Sequence, residues 1–195
     1  MTPQTLWARH IHRRLHTAAR RYAEAGWPVA PMAIPIHGGY DCGDPHCRVL
    51  GPHPLARWRE LATVHVAHVD RIWSTTPWGI ALVTGHRFDV LEVPAHIGSP
   101  THHHIGARCP TAITPDKKWL FVITPGSVLP AALNGCRDVT LHGKDSWAPA
   151  SPTPYLRNRV YWMSPPTATQ WRPGDATEVF EAAVQAHTGR LHLTV

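Results

Sequence analysis

The chain has 195 residues, 43% hydrophobic and only 16% charged, with 9 Trp and 20 Pro, a composition that supports a folded core and excludes a disordered chain. A formal charge of +6 with 16 His suits an anionic partner such as nucleic acid, although Arg dominance, with only Lys117, Lys118 and Lys144 as lysines, is also what a G+C-rich genome imposes. No run is long and apolar enough for a membrane span, no signal-peptide pattern opens the chain, and Cys42, Cys47, Cys109 and Cys136 are too scattered for a disulfide scaffold, so the expectation is a cytoplasmic protein without membrane contact.

Thr2 to Gly26 reads as a helix, with Ile11, Leu15, Ala18 and Tyr22 on one face, Pro3 in the first turn and Gly26 as the stop. Its other faces carry Arg9, Arg13, Arg14, Arg20 and Arg21, either a phosphate-contacting surface or an ordinary solvated one. Trp27 to Ile34 is a short extended run whose prolines place it at a sheet edge. Next comes Tyr40 to Trp58, a loop dense in Gly, Pro, Cys and His. Its Cys42, Cys47 and His53 are borderline-soft donors suited to zinc, with His37 or His46 as candidate fourth ligand; the alternative is a metal-free loop with reduced thiols.

Thr63 to Thr75 is expected as a helix capped by Thr63, with Val66, Val69, Ile72 and Trp73 on the core face. Then come Gly79 to Thr84 and Phe88 to Val93 around the turn Gly85-His86-Arg87, the pattern of two paired central strands. Alternation puts Val90, Glu92 and Pro94 on one face and Asp89, Leu91 and Val93 on the other. Glu92 is thus a carboxylate within an apolar run.

His96 to Pro110, with His102, His103 and His104 in succession, reads as a solvated loop rather than a metal site. Trp119 to Thr124 is a strand, Val128 to Asn134 one short helix, and Asp138 to Leu141, Ser146 to Pro149 and Arg159 to Met163 are three short strands. Ala176 to His187 closes as a helix, and Leu191 to Val195 is an alternating tail. The nine Trp are read mostly as core anchors. There is no internal repeat, P-loop, dinucleotide fingerprint or nucleophile elbow.

The order AGWPVAPMAIP, CGDPHCRVLGPHP with Trp58, IALVTG, FDVLEVP, TPDKKWLFVITPG, RDVTLHGKDSWAPAS and RVYWMSPP resembles the bifunctional DNA primase/polymerase N-terminal (prim-pol) domain of the archaeo-eukaryotic primase superfamily. The form most similar is the short stand-alone one common in actinobacteria. The resemblance covers about Tyr22 to Pro166 of a single domain spanning 1–195, with 167–195 as C-terminal helix and tail. It implies an α+β fold: a mixed sheet with an RRM-like core on Trp78 to Val93, Trp119 to Thr124 and Asp138 to Pro149, plus a small lobe of N-terminal helix and Cys loop.

Active members carry an Asp-x-Asp/Glu pair on the strand matching Leu91 to Pro94, a His on the strand matching Trp119 to Val122, and an acid near Asp138. Together these hold Mg2+ or Mn2+ and a nucleoside triphosphate. Here the first acid is Glu92 and the second position is Pro94, while the His position falls on Trp119 or Leu120 and Asp138 remains. The expectation leans against an enzyme: a pseudoenzyme in which Glu92 and Asp138 are remnants and Glu92 is satisfied by Arg87 or a nearby His, or still holds one metal weakly. The Cys loop resembles the family's, with Tyr40 in place of its first Cys. Three alternative functions result: a DNA or nucleotide binder through Arg9, Arg13, Arg20, Lys117 and Lys118, a protein-interaction or regulatory module, and an active metal-dependent primase/polymerase.

Overall fold

A computed structural model describes residues 3–191, and the side chains of residues 9–191. The chain divides into two compact units. The first is residues 1–83 with 149–160, and the second is residues 84–148 with 161–195. None of the described helices is long and apolar enough to cross a membrane.

In the first unit, α1 (Pro3–Glu24) buries Leu15, Ala19, Tyr22 and Ala23 in one stripe. It ends where Gly26, at φ +77°, lets its own N–H reach Ala23 O and that of Trp27 reach Tyr22 O, a left-handed C-terminal cap open to glycine. β1 (Val29–Met32) is wholly buried and pairs antiparallel with β4 (Gly79–Val83), from Val29–Leu82 to Met32–Gly79. Isolated bridges from Val29 to Thr63 and from Met32 to Pro54 occupy the outer edge of β1, so its edge character is as its prolines indicate. Gly79 has no room for a side chain: a Cβ would lie 2.9 Å from Thr153 Cγ2. Thr153 bonds Ile80 on the other edge of β4, its Oγ1 accepting from Ile80 N at 2.8 Å and donating to Ile80 O at 3.1 Å.

A hairpin that the sequence pattern did not announce, β2 (Ile34–Ile36) and β3 (Gly39–Asp41), leads into the Cys loop. The short α2 (Trp58–Leu61) and α3 (Val66–Trp73) come after it. Thr63 is not the cap of α3: its backbone exchanges both hydrogen bonds with Val29, and its Oγ1 accepts from His65 N at 3.0 Å. Sealing the β1 edge takes precedence over capping, and α3 starts three residues later.

The second unit is one sheet backed by helices. β5 (Asp89–Pro94), β6 (Thr111–Ile113), β7 (Lys118–Ile123), β8 (Thr140–His142) and β10 (Tyr161–Ser164) stand in the order β10-β6-β7-β5-β8; β9 (Trp147–Pro149) carries the chain back towards the first unit. Every pair in this sheet is antiparallel, which corrects the expected mixed sheet while leaving the α+β class. The expected pairing of Gly79–Thr84 with Phe88–Val93 is also corrected. β5 gives one edge to β7 and the other to β8, and β4 gives one to β1. The turn between them, closed by Gly85 N to Phe88 O at 2.9 Å, joins strands of different sheets.

Leu91 and Val93 of β5, with Trp119, Phe121 and Ile123 of β7, form one core with α4 (Ala95–Ile105) and α5 (Ala176–His187). The loop expected at His96 to Pro110 is mostly α4. Ile97, Thr101 and Ile105 recur every four residues and are buried, a helical period that the His run and Pro100 obscure in sequence. α4 meets the sheet at Gly98, where a Cβ would fall 2.3 Å from Trp119 Cγ. The short helix expected at Val128 to Asn134 is only a turn closed on Pro130 O and broken at Gly135, because Pro130 and Gly135 leave too few residues between them to propagate a helix. α5 is capped by the Asp175 side chain accepting from Glu178 N at 2.9 Å. The tail beyond Leu191 lies outside the described residues.

Candidate functional site

The hairpin β2–β3 delivers Cys42 just past Asp41, and two Asx turns shape the loop from there: Asp41 Oδ1 accepts from Gly43 N at 2.7 Å and Asp44 Oδ1 from His46 N at 2.9 Å. These turns bring Cys42, Cys47 and His53 together, with one ligand atom of each within 4.8 Å of the others. Cys47 Sγ and His53 Nε2 are 3.4 Å apart. His53 Nδ1 donates to Gly51 O at 2.8 Å, which turns Nε2, with its lone pair, towards the thiols. Burial, more than the neighbouring Cys47, raises the Cys42 pKa. Two thiols and an imidazole at this spacing fit a tetrahedral zinc, whose ligand bonds of about 2.0–2.3 Å put donor atoms somewhat under 4 Å apart. His37 and His46 are exposed and outside the cluster, and among the described residues no fourth Cys, His, Asp or Glu joins it.

The second cluster lies on the sheet of the second unit. Register places Leu120 directly across from Glu92 on β7 and Thr140 across from it on β8. Trp119, by contrast, sits across from Val93 and turns to the helix side, stacked on Phe121 and 5.4 Å from the ring of His102. The residue facing Glu92 from β7 is therefore Leu120. The imidazole comes from the other neighbour: His142 Nε2 is 3.0 Å from Glu92 Oε2, and its Nδ1 is 3.2 Å from Ser146 Oγ. Glu92 and His142 side chains are 21% and 17% exposed. This is the partner expected as "a nearby His", and Arg87, the other candidate, is exposed. Sequence reasoning missed His142 and Ser146, although the alternation Thr140, Leu141, His142 held a signal: the strand period puts His142 on the Glu92 face.

Asp138 is a turn residue at φ +67°, its carboxylate 3.1 Å from Lys118 Nζ. Asp89, which the sequence places on the Leu91 and Val93 face, is buried at the start of β5; its Oδ2 accepts from Gly126 N at 2.8 Å, and among the described residues Oδ1 has no partner.

The His run divides. His102 Nε2 lies 2.9 Å from Ser164 Oγ and burial, then His103, lowers its pKa, while His103 and His104 are exposed. Of the expected nucleic-acid contacts, Arg20 is engaged by Asp70 at 2.6 Å and Glu24 at 3.6 Å, and Lys118 by Asp138. Arg9, Arg13 and Lys117 are exposed, Lys117 in a turn at φ +65°. Among the described Trp, only Trp27, Trp73 and Trp119 are buried, and the other five are half-buried.

Residues 19–178 match the family described as Prim-Pol, bifunctional DNA primase/polymerase, N-terminal. The chain belongs to this Prim-Pol family. The match extends past the Tyr22 to Pro166 stretch that carries the resemblance and reaches into α5. No curated protein matches the chain. The family is one of primase- and polymerase-related nucleic-acid functions, and the Cys42, Cys47 and His53 cluster is a possible metal site within the Prim-Pol match.

Proposed function

We propose that this Prim-Pol domain binds nucleic acid or nucleotide without polymerising it. The observation that carries the reading is the surroundings of Glu92: Pro94 two residues along the same face, Leu120 across the sheet, and a carboxylate already closed by His142. Two divalent ions need several converging carboxylate oxygens, and one carboxylate hydrogen-bonded to an imidazole offers little of that. A chain with a cationic excess and half-buried Trp retains the means to hold a strand through phosphate contacts and stacking.

In this reading Cys42, Cys47 and His53 hold a structural zinc that cross-links the loop to the hairpin, with the fourth position left to water or another donor. Zinc supplies no step of chemistry here. The test is fluorescence anisotropy of labelled single- and double-stranded DNA at about 50 and 200 mM salt, alongside primer extension with Mg2+ or Mn2+. Binding that weakens steeply with salt, without extension, supports the proposal. Extension that Glu92→Gln abolishes would overturn it in favour of an active polymerase, and absence of binding at low salt would turn attention to the protein-interaction reading.

A further inference from the structure

The first unit contains a cavity of about 550 Å³ that neither the Cys loop nor the Glu92 face uses. One wall is α1, the second is β2, and the third is the turn at 154–159, closed by the Pro154–Arg159 bridge and by Tyr155 N to Asn158 O at 2.7 Å. Its volume is in the range of small-molecule sites, roughly 300–1,000 Å³.

The chemistry of the walls is one-sided. Arg14, Arg157 and Arg159 line the cavity together with His10 and His37, and among the described residues no Asp or Glu does. Three exposed Arg from two separate segments line one opening with no acidic residue among its described walls, a concentration of positive charge that favours an anion. Arg forks suit phosphate oxygens in particular. The rest of the lining is apolar. Ile11 and Leu15 form the α1 side, while Ile36 and Leu156 are 49% and 58% exposed there, an exposure of large aliphatic groups that a flat apolar ligand body would reduce.

We propose that this cavity is a binding site for one nucleotide, with the phosphate held by Arg14, Arg157 and Arg159 and the base against Ile36 and Leu156. The site rests on the proposed nucleic-acid or nucleotide function for the choice of a nucleotide among organic phosphates. The nucleotide is either free or one link of a strand. On α1, the working cation is Arg14: Arg20, one of the helix arginines the sequence pattern favoured, is spent on Asp70 and Glu24.

The experiment is a titration of the full chain with AMP, ATP, inorganic phosphate and a short oligothymidylate, repeated on Arg14→Ala/Arg157→Ala, on Leu156→Glu, and on Arg87→Ala as a control far along the chain. The expected result is nucleotide binding that falls at least tenfold in the double variant and in Leu156→Glu and holds in Arg87→Ala, with inorganic phosphate weakened by the double variant. Loss confined to the oligothymidylate also supports the site and makes a strand its source. Nucleotide or strand binding that survives both pocket variants overturns the site while leaving the proposed function standing. Absence of binding to every probe by the wild-type chain overturns both. Circular dichroism of each variant confirms that the exposed substitutions leave the fold in place.

Discussion

The Cys loop and the β5 sheet face hold their polar side chains in different ways. In the loop, Cys42, Cys47 and His53 converge within 4.8 Å. On the sheet, Glu92 has Pro94 and Leu120 beside it, and its polar neighbours from β8 are Thr140, directly across, and His142, which closes on it. What makes a metal site is the convergence of lone pairs on a common point. A loop built from turns can bring donors from separate positions to one point, whereas a strand fixes the spacing of its side chains and offers no way to bring another carboxylate in.

The largest expected effect tests how tightly the sheet side is fixed. Gly98→Ala places a Cβ into Trp119 and is expected to destabilise the protein by about 3 kcal/mol, measured by urea denaturation; Trp119→Leu in the same chain should recover much of the loss. On the loop side, zinc at a hundredfold excess over its Kd should stabilise the protein by about 2.7 kcal/mol. Thermal denaturation with and without a chelator measures this, and Cys47→Ser should erase the difference. A chelator without effect would leave the loop as two reduced thiols.

Smaller still is Glu92→Gln, which weakens the half-buried contact with His142 and should cost about 1 kcal/mol with no gain or loss of metal-dependent activity. The last test concerns α1 and α3. Asp70 is held below the usual aspartate pKa, first by the hydrogen bond with His16 and then by that with Arg20. Its folded-state pKa being the lower one, its stabilisation is present above the unfolded-state value and fades as pH falls through the folded one. Asp70→Asn should therefore lower stability slightly at neutral pH and converge with the unsubstituted protein at low pH, which flattens the acid limb of a stability-against-pH curve.

Much of the fold was legible where periodicity is unambiguous. α1 and α5 come from a stripe ending at Gly26 and a run starting at Ala176, and β7 from an apolar run between turns. The faces of β5 come from alternation alone, since Leu91 and Val93 lie in the helix-backed core and Glu92 does not. Partner choice was not legible. A tight turn between two apolar runs reads as a hairpin, and only the occupied edges of β4 and β5 rule it out. α4 was hidden because three His dominate a segment whose core residues are four apart. Thr63 has the chemistry of a cap, and only the long-range bridge to Val29 shows where its backbone is used.

At the site, Cys42, Cys47 and His53 were visible because loop proximity is local. His142 was not, because it meets Glu92 from 50 residues away. The alignment ambiguity between Trp119 and Leu120 also required register: adjacent residues face opposite ways, and which one faced Glu92 depended on the pairing of β5 with β7.

The division of the chain bears on how the protein is made. The first unit draws on residues 1–83 and again on 149–160, and the later segment supplies Thr153 at the edge of β4 and the Ser151 carbonyl that accepts from the Tyr22 hydroxyl at 2.6 Å. During synthesis, residues 1–83 emerge before Thr153, and their closing strap arrives only after the intervening stretch, 84–148, has been translated. The second unit in turn waits for residues 161–195, which bring β10 and α5. Each unit thus receives its last pieces only after part of the other has been translated, so the usual order, in which one domain is finished before the next begins, is closed to these two units.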